Sequence, residues 1–193
     1  MSMSNGIDEV LDFWISEVGE AGWYIQDDTL DTQITDRFKP AWERAHADDL
    51  TDWMLTSRGM LALLIVTDQF SRNMFRGSHL SFATDALALS VARLAINRGD
   101  DLRFDGAVRQ FFYLPMMHSE SLSQQEFAVR QFMLKMPQSD SNLLHARAHR
   151  DVIRTFGRFP YRNAALGRRS TAAEVQYLED GAYGATVRAL QRT

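Results

Sequence analysis

Two stretches of the chain set arginine, asparagine and glycine in the same order. Gln69, Phe70, Ser71, Arg72 and Asn73 are followed by Arg76 and Gly77. Arg158, Phe159, Pro160, Tyr161, Arg162 and Asn163 are followed by Gly167 and Arg168. A guanidinium is planar, stays charged at any physiological pH and pairs bidentately with carboxylates and phosphates. The two clusters therefore predict either an anion site or an internal lattice of ion pairs. On the first reading, Arg72, Arg76, Arg150, Arg154, Arg158 and Arg162 contact the anion. Asn73 and Asn163 orient a carbonyl or amide, and Asp68 and Gln69 complete that wall. Between the clusters lie His118, Ser119 and Glu120, and then His149, Arg150 and Asp151. These supply acid–base candidates: His118 or His149 as the base, with Glu120 or Asp151 orienting it.

Other chemistries lack their patterns. There is no Gly-x-Ser-x-Gly elbow and no glycine-rich phosphate loop or dinucleotide fingerprint. His145 and His149 stand four apart, a spacing that can seat two imidazoles on one metal. No His-Glu-x-x-His arrangement accompanies them, so neither a metal nor another cofactor is expected.

These residues must be positioned by helices, because helical periodicity dominates the chain. Val10, Leu11, Phe13, Trp14 and Val18 give residues 7–18 a broad apolar face. Residues 30–47 read as a second helix that Pro40 should kink or split. Residues 58–73 read as the strongest core helix, and Gly77 lies beyond its end. Helices are also predicted over 81–97 and 140–156, and over 105–118 with a kink at Pro115. Capping boxes predict helix starts at Ser123–Glu126 and Thr171–Glu174. On the 140–156 helix, Arg147, Arg150, Asp151, Arg154 and Arg158 fall opposite Leu144, Ala148, Val152 and Phe156. Stacked guanidiniums repel unless anions intervene. No segment alternates like a strand for long. The fold class is all-α: one domain, residues 1–193, of about eight to ten antiparallel helices stacked as hairpins.

Composition narrows the partners. A net charge of -4 gives no overall case for nucleic acid or an anionic membrane surface. The charge is uneven: residues 1–52 hold 13 acidic and 3 basic side chains, whereas 53–193 hold 12 acidic and 18 basic. Only Lys39 and Lys135 are lysines, and a bias to arginine suits fixed pairing. The chain has no cysteine, no leader-like pattern over Met1–Gly6 and no apolar run of membrane-spanning length, so a cytoplasmic location is expected.

Asp68–Gly77, Tyr113–Glu120 and His149–Asn163, together with Val10–Trp14 and Trp23, resemble the bacterial family called domain of unknown function 924. The likeness runs through nearly the whole chain in the same order, apart from Ser71, where proline is expected in relatives. It implies an all-helical, tetratricopeptide-like fold and no particular activity. Three functions remain. The first is a binding protein for an anionic small molecule or acidic peptide. The second is a hydrolase or transferase acting on a phosphorylated or carboxylated metabolite. The third is a structural protein whose arginines pair with Asp68, Glu120, Asp151 and the acidic first third, and whose exposed Trp or Met patches allow a homo-oligomer.

Overall fold

The computed structural model describes residues 3–192 and is all-α, with no strand among them. Met1 and Ser2, where the leader pattern was sought, lie outside the described residues. The chain divides into two compact units, Met1–Pro115 and Met116–Thr193.

In the first unit, α1 (Met3–Leu11) runs on through a π-helical stretch, Asp12–Val18, to Gly19–Gly22. Helix α2 (Asp28–His46) starts where Asp27 Oδ1 accepts from the Thr29 and Leu30 amides. Pro40 does not split it: the helix is continuous through the ring, which sits at an exposed position. Helix α3 (Ser57–Leu64) is capped by Thr56 and continues through a π turn, Ile65–Phe70, into Ser71–Met74. Met60 to Val66 are all buried, as an apolar-all-round segment requires. After a 3-10 turn at His79–Phe82, α4 (Asp85–Arg98) packs on α3 and ends at Gly99, whose φ of 73° releases the chain.

The core joins these helices by ring contacts: Phe13 to Phe38 at 5.0 Å, Phe38 to Phe70 at 4.8 Å and Trp14 to Phe70 at 5.3 Å between centroids. Burial of each such side chain stabilises the fold by about 1.5–3 kcal/mol. His79–Arg98 passes a length and hydropathy test for a membrane span. It is interrupted at Ala83–Thr84, and its Ala88, Val91, Ala92 and Ala95 stripe is buried in the protein.

The predicted helix over 105–118 is instead a 3-10 stretch, Gly106–Phe112, and a single α-helical turn, Leu114–Met117. Phe111, Phe112, Tyr113 and Leu114 are all buried in succession.

In the second unit, α5 (Leu122–Lys135) packs along α6 (Asp140–Phe156), and α8 (Ala182–Leu190) packs on α6 as well. Helix α5 starts after Ser121 without a side-chain cap, so the predicted box at Ser123 does not form; the Glu126 carboxylate accepts from Arg154 of α6 instead. The box at Thr171–Glu174 does form and starts α7 (Ala172–Glu179). Gly157, at φ 71°, ends α6 and leads to a 3-10 turn, Pro160–Arg162. Val152, Ile153 and Phe159 make one buried core cluster, covered by Phe156, Tyr177 and Tyr183.

Candidate functional site

Each doubled motif grips a carboxylate of its own unit. In the first, the π turn presents the Thr67 and Asp68 carbonyls to side-chain donors. Thr67 O accepts from Ser71 Oγ at 2.9 Å and Thr84 Oγ1 at 2.6 Å, and Asp68 O accepts from Arg72 Nη1 at 2.7 Å. Asp68 is 1% exposed and accepts from Gln69 Nε2. Arg72 lies 3.2 Å from the Asp68 carboxylate and 2.9 Å from Asp85. Asn73 donates to Asp31 Oδ1 at 2.7 Å, and Arg76 forks onto both oxygens of Asp31, which raises its own pKa further.

In the second motif, Gly167 at φ 63° folds Arg168 back onto Glu120, with Nη1 and Nη2 at 2.7 and 2.9 Å from its two oxygens. Asn163 is buried and holds Arg168 Nε at 3.0 Å, while Glu120 also accepts from the Phe159 amide at 2.8 Å. Burial pushes the Glu120 carboxyl up, but hydrogen bonds from Arg168 and Phe159 and the charge of Arg162 outweigh it, and it rests below the usual range. Arg158 forks onto Glu174 at 2.6 and 2.8 Å. Hydrogen bonds from Arg158 and from the Thr171 amide draw the Glu174 carboxyl down to about 2. On α6, Arg150 and Arg154 share Asp151 and Glu126. The carboxylates predicted at Asp68, Asp151 and Glu120 thus sit among arginines, as does Asp31 from the acidic first third.

The histidines converge. His118 stands in the turn before α5, held by fully buried Gln125, whose Nε2 donates to Met117 O and Ser119 O at 2.6 Å each. Its ring centroid is 6.0 Å from that of His149 on α6. His149 Nδ1 is 2.9 Å from the carbonyl of His145, one turn back, and 3.0 Å from Tyr183 Oη. A carbonyl only accepts, so Nδ1 carries the proton and Nε2 keeps a lone pair in the neutral ring. Burial pushes His149 down to about 3, with the His118 and Arg162 charges acting in the same direction. Phe159 meets His149 edge-on at 5.5 Å, and the Arg162 guanidinium lies 4.5 Å from the Phe159 centroid. Arg162 is itself buried. The groups that orient His149 are thus the His145 carbonyl and Tyr183. His145, Gln125, Tyr183 and Arg168 escaped the predicted site. Only the i,i+4 spacing of His145 and His149 hinted at one of them.

A family model described as a bacterial protein of unknown function, DUF924, matches residues 10–182. Among solved structures, the chain is similar to a protein of unknown function, ATU0120, from Agrobacterium tumefaciens. They are 38% identical, the match covers 93% of this chain and 100% of that one, and the TM-score is 0.88. No curated protein matches.

Proposed function

Because the chain belongs to the family of bacterial proteins of unknown function DUF924, we propose a function from its own side chains: it binds a small anionic molecule, a carboxylate or phosphate, at the His118–His149 cluster. One observation carries this reading. The His118 and His149 rings lie tilted to one another at 6.0 Å between centroids, and burial, with the charges of His118 and Arg162 adding to it, disfavours a proton on His149. An anion there accepts from a proton on His149 Nε2 and favours the charged forms of both imidazoles. Arg72, Arg76, Arg150, Arg154, Arg158 and Arg168, already on carboxylates, brace the scaffold. An acidic peptide end presents the same chemistry on a larger partner. The cysteine-free composition suits a cytoplasmic setting, and the packing of α3 on α4 and of α5 on α6 is in keeping with a tetratricopeptide-like stack. Ligand binding raises the melting temperature by mass action. A panel of phosphates, carboxylates and acidic peptides is expected to contain members that stabilise the protein, and to lose them in Arg162→Gln. A flat panel removes the reading.

The fixed tautomer of His149 favours a second reading, an enzyme of the hydrolase or transferase class with His149 as general base. His118 then shares the proton, while Glu120 and Asp151 act through the arginines they hold. His149→Gln separates the two: a binding protein loses affinity, whereas an enzyme keeps substrate binding and loses turnover.

A further inference from the structure

We infer that Tyr183 links His149 to His145 as a proton relay leading away from the ligand site; this rests on the anion-binding reading of that site. Tyr183 Oη lies 3.0 Å from His149 Nδ1 and 2.7 Å from His145 Nδ1. A hydroxyl has one proton to give. The one proton on His149 Nδ1 is shared between the His145 carbonyl and the hydroxyl, so the hydroxyl accepts from His149; its own proton goes to His145 Nδ1 at 2.7 Å, with the His145 carbonyl farther off at 3.5 Å. The His145 proton then resides on Nε2. The result is a directed chain: His149 Nδ1–H, Tyr183 Oη–H, His145 Nδ1.

The relay balances. When a proton arrives on His149 Nε2, its Nδ1 proton passes to Tyr183 Oη, and the hydroxyl proton passes to His145 Nδ1. No bond between heavy atoms changes, and one unit of charge moves from one imidazole to the other. The ionisable groups around the pair are His118 from the turn before α5, Tyr161 and Arg162 from Pro160–Arg162, Tyr177 from α7, and Tyr183 itself. Burial lowers both histidines, and on His149 the charges of His118 and Arg162 add to it; the open acceptor at the end of the chain is His145 Nδ1, 2.7 Å from the hydroxyl. Burial also raises the Tyr183 phenol, which keeps it protonated between transfers.

The backbone is committed to this placement. Ala182 holds φ 48°, a left-handed conformation that is strained for a non-glycine residue. It directly precedes Tyr183 and follows Gly181 at φ 100°. The strained turn starts α8 where the Tyr183 ring reaches His149, 4.6 Å between centroids.

The test is an imidazole nitrogen–proton NMR spectrum of the full chain with labelled histidine. Near neutral pH, His149 is expected to carry its proton on Nδ1 and His145 on Nε2, and on acidification the first added proton of the pair is expected at His145 Nδ1. Tyr183→Phe should abolish the single tautomer of His145 while His149, held by the His145 carbonyl, keeps its own. A proton on Nε2 of neutral His149, or His145 nitrogen shifts unmoved by Tyr183→Phe, overturns the relay. If that variant does not fold, the wild-type tautomers decide. Inorganic phosphate that leaves the melting temperature and spectrum unmoved, with both tautomers as stated, fails the binding reading and leaves the relay standing.

Discussion

Glu120 and Arg168 show how much a single pair holds in place. The carboxylate takes both Arg168 Nη groups and the Phe159 amide, and both side chains are more than two-thirds buried. Removing the cation leaves a half-buried anion with one donor. Arg168→Ala should therefore destabilise the protein by about 2–3 kcal/mol. For a chain of this size that lowers the melting temperature by roughly 4–12 °C. Arg168→Lys should recover only part of the loss, because an ammonium does not fork. His149 gives a pH signature. Its pKa is pushed down in the fold, to about 3, from about 6.5 in the unfolded chain. The unfolded state then binds more protons between those values. Stability is expected to be full above about pH 6.5 and to fall as pH drops through the window toward 3. Glu174, drawn down to about 2 by Arg158, and Glu120, also lowered, add to the loss only below the ordinary carboxylate range, near pH 4.3. His149→Gln should make the profile shallower between about pH 6.5 and 4.5, where His145, also lowered by burial, keeps part of the slope, and spare the part below, as read by denaturant titration across pH.

Helix α3 is fixed by backbone contact at its first turn. A Cβ on Gly59 would meet the Trp53 carbonyl oxygen at 2.1 Å, and a backbone atom cannot swing aside as a flexible side chain does. Gly59→Ala gains helix propensity of about 1 kcal/mol and loses more to the clash. The net expectation is a destabilisation of about 2 kcal/mol, with a fall in helical ellipticity at the melting midpoint shifted down by roughly 4–8 °C. Nothing local in the sequence marks Gly59, because its partner is a carbonyl in the preceding 3-10 turn. The same distinction runs through the chain. Helix α6 keeps its predicted limits because Gly157 ends it locally, and α7 starts on a box whose two members are three residues apart. The 105–118 region misled because a buried run, here residues 110–117, has no polar face to mark its period, so its spacing reads like that of the covered helix at residues 60–66. The convergence of the histidines was open to a guess, but their orientation was not: Tyr183 lies 38 residues from His145. The grip of Asn73 and Arg76 on Asp31 spans 42 and 45 residues, so the sequence showed the guanidiniums and hid their anions.

Charge across the molecule sorts into two populations. Arg37–Glu17, Arg44–Asp49 and Arg58–Asp8 are pairs of largely exposed side chains, whereas Arg72–Asp68 and Arg168–Glu120 are sheltered. Exposed pairs contribute roughly 0–1 kcal/mol each and are screened within about 3 Å at 1 M salt. Raising sodium chloride from about 0.1 to 1 M should cost the wild type little, and it should not reduce the penalty of Arg168→Ala, which comes from a sheltered site. Salt should compete more strongly at the proposed ligand site, where the anion is a mobile ion. The site's own proton chemistry then sets a direction that a purely structural arginine lattice does not share. A bound anion favours the protonated forms of His118 and His149 and raises their pKa values. By linkage, binding takes up protons, so affinity rises as pH falls from about 8 to 6. Calorimetry of phosphate binding in buffers of different ionisation enthalpy should report net proton uptake, and thermal stabilisation by phosphate should be larger at about pH 6 than at about pH 8. In His149→Gln the uptake should shrink while the fold persists. Equal stabilisation at the two pH values, with no buffer dependence of the heat, would place the anion away from the histidines and leave them as packing groups.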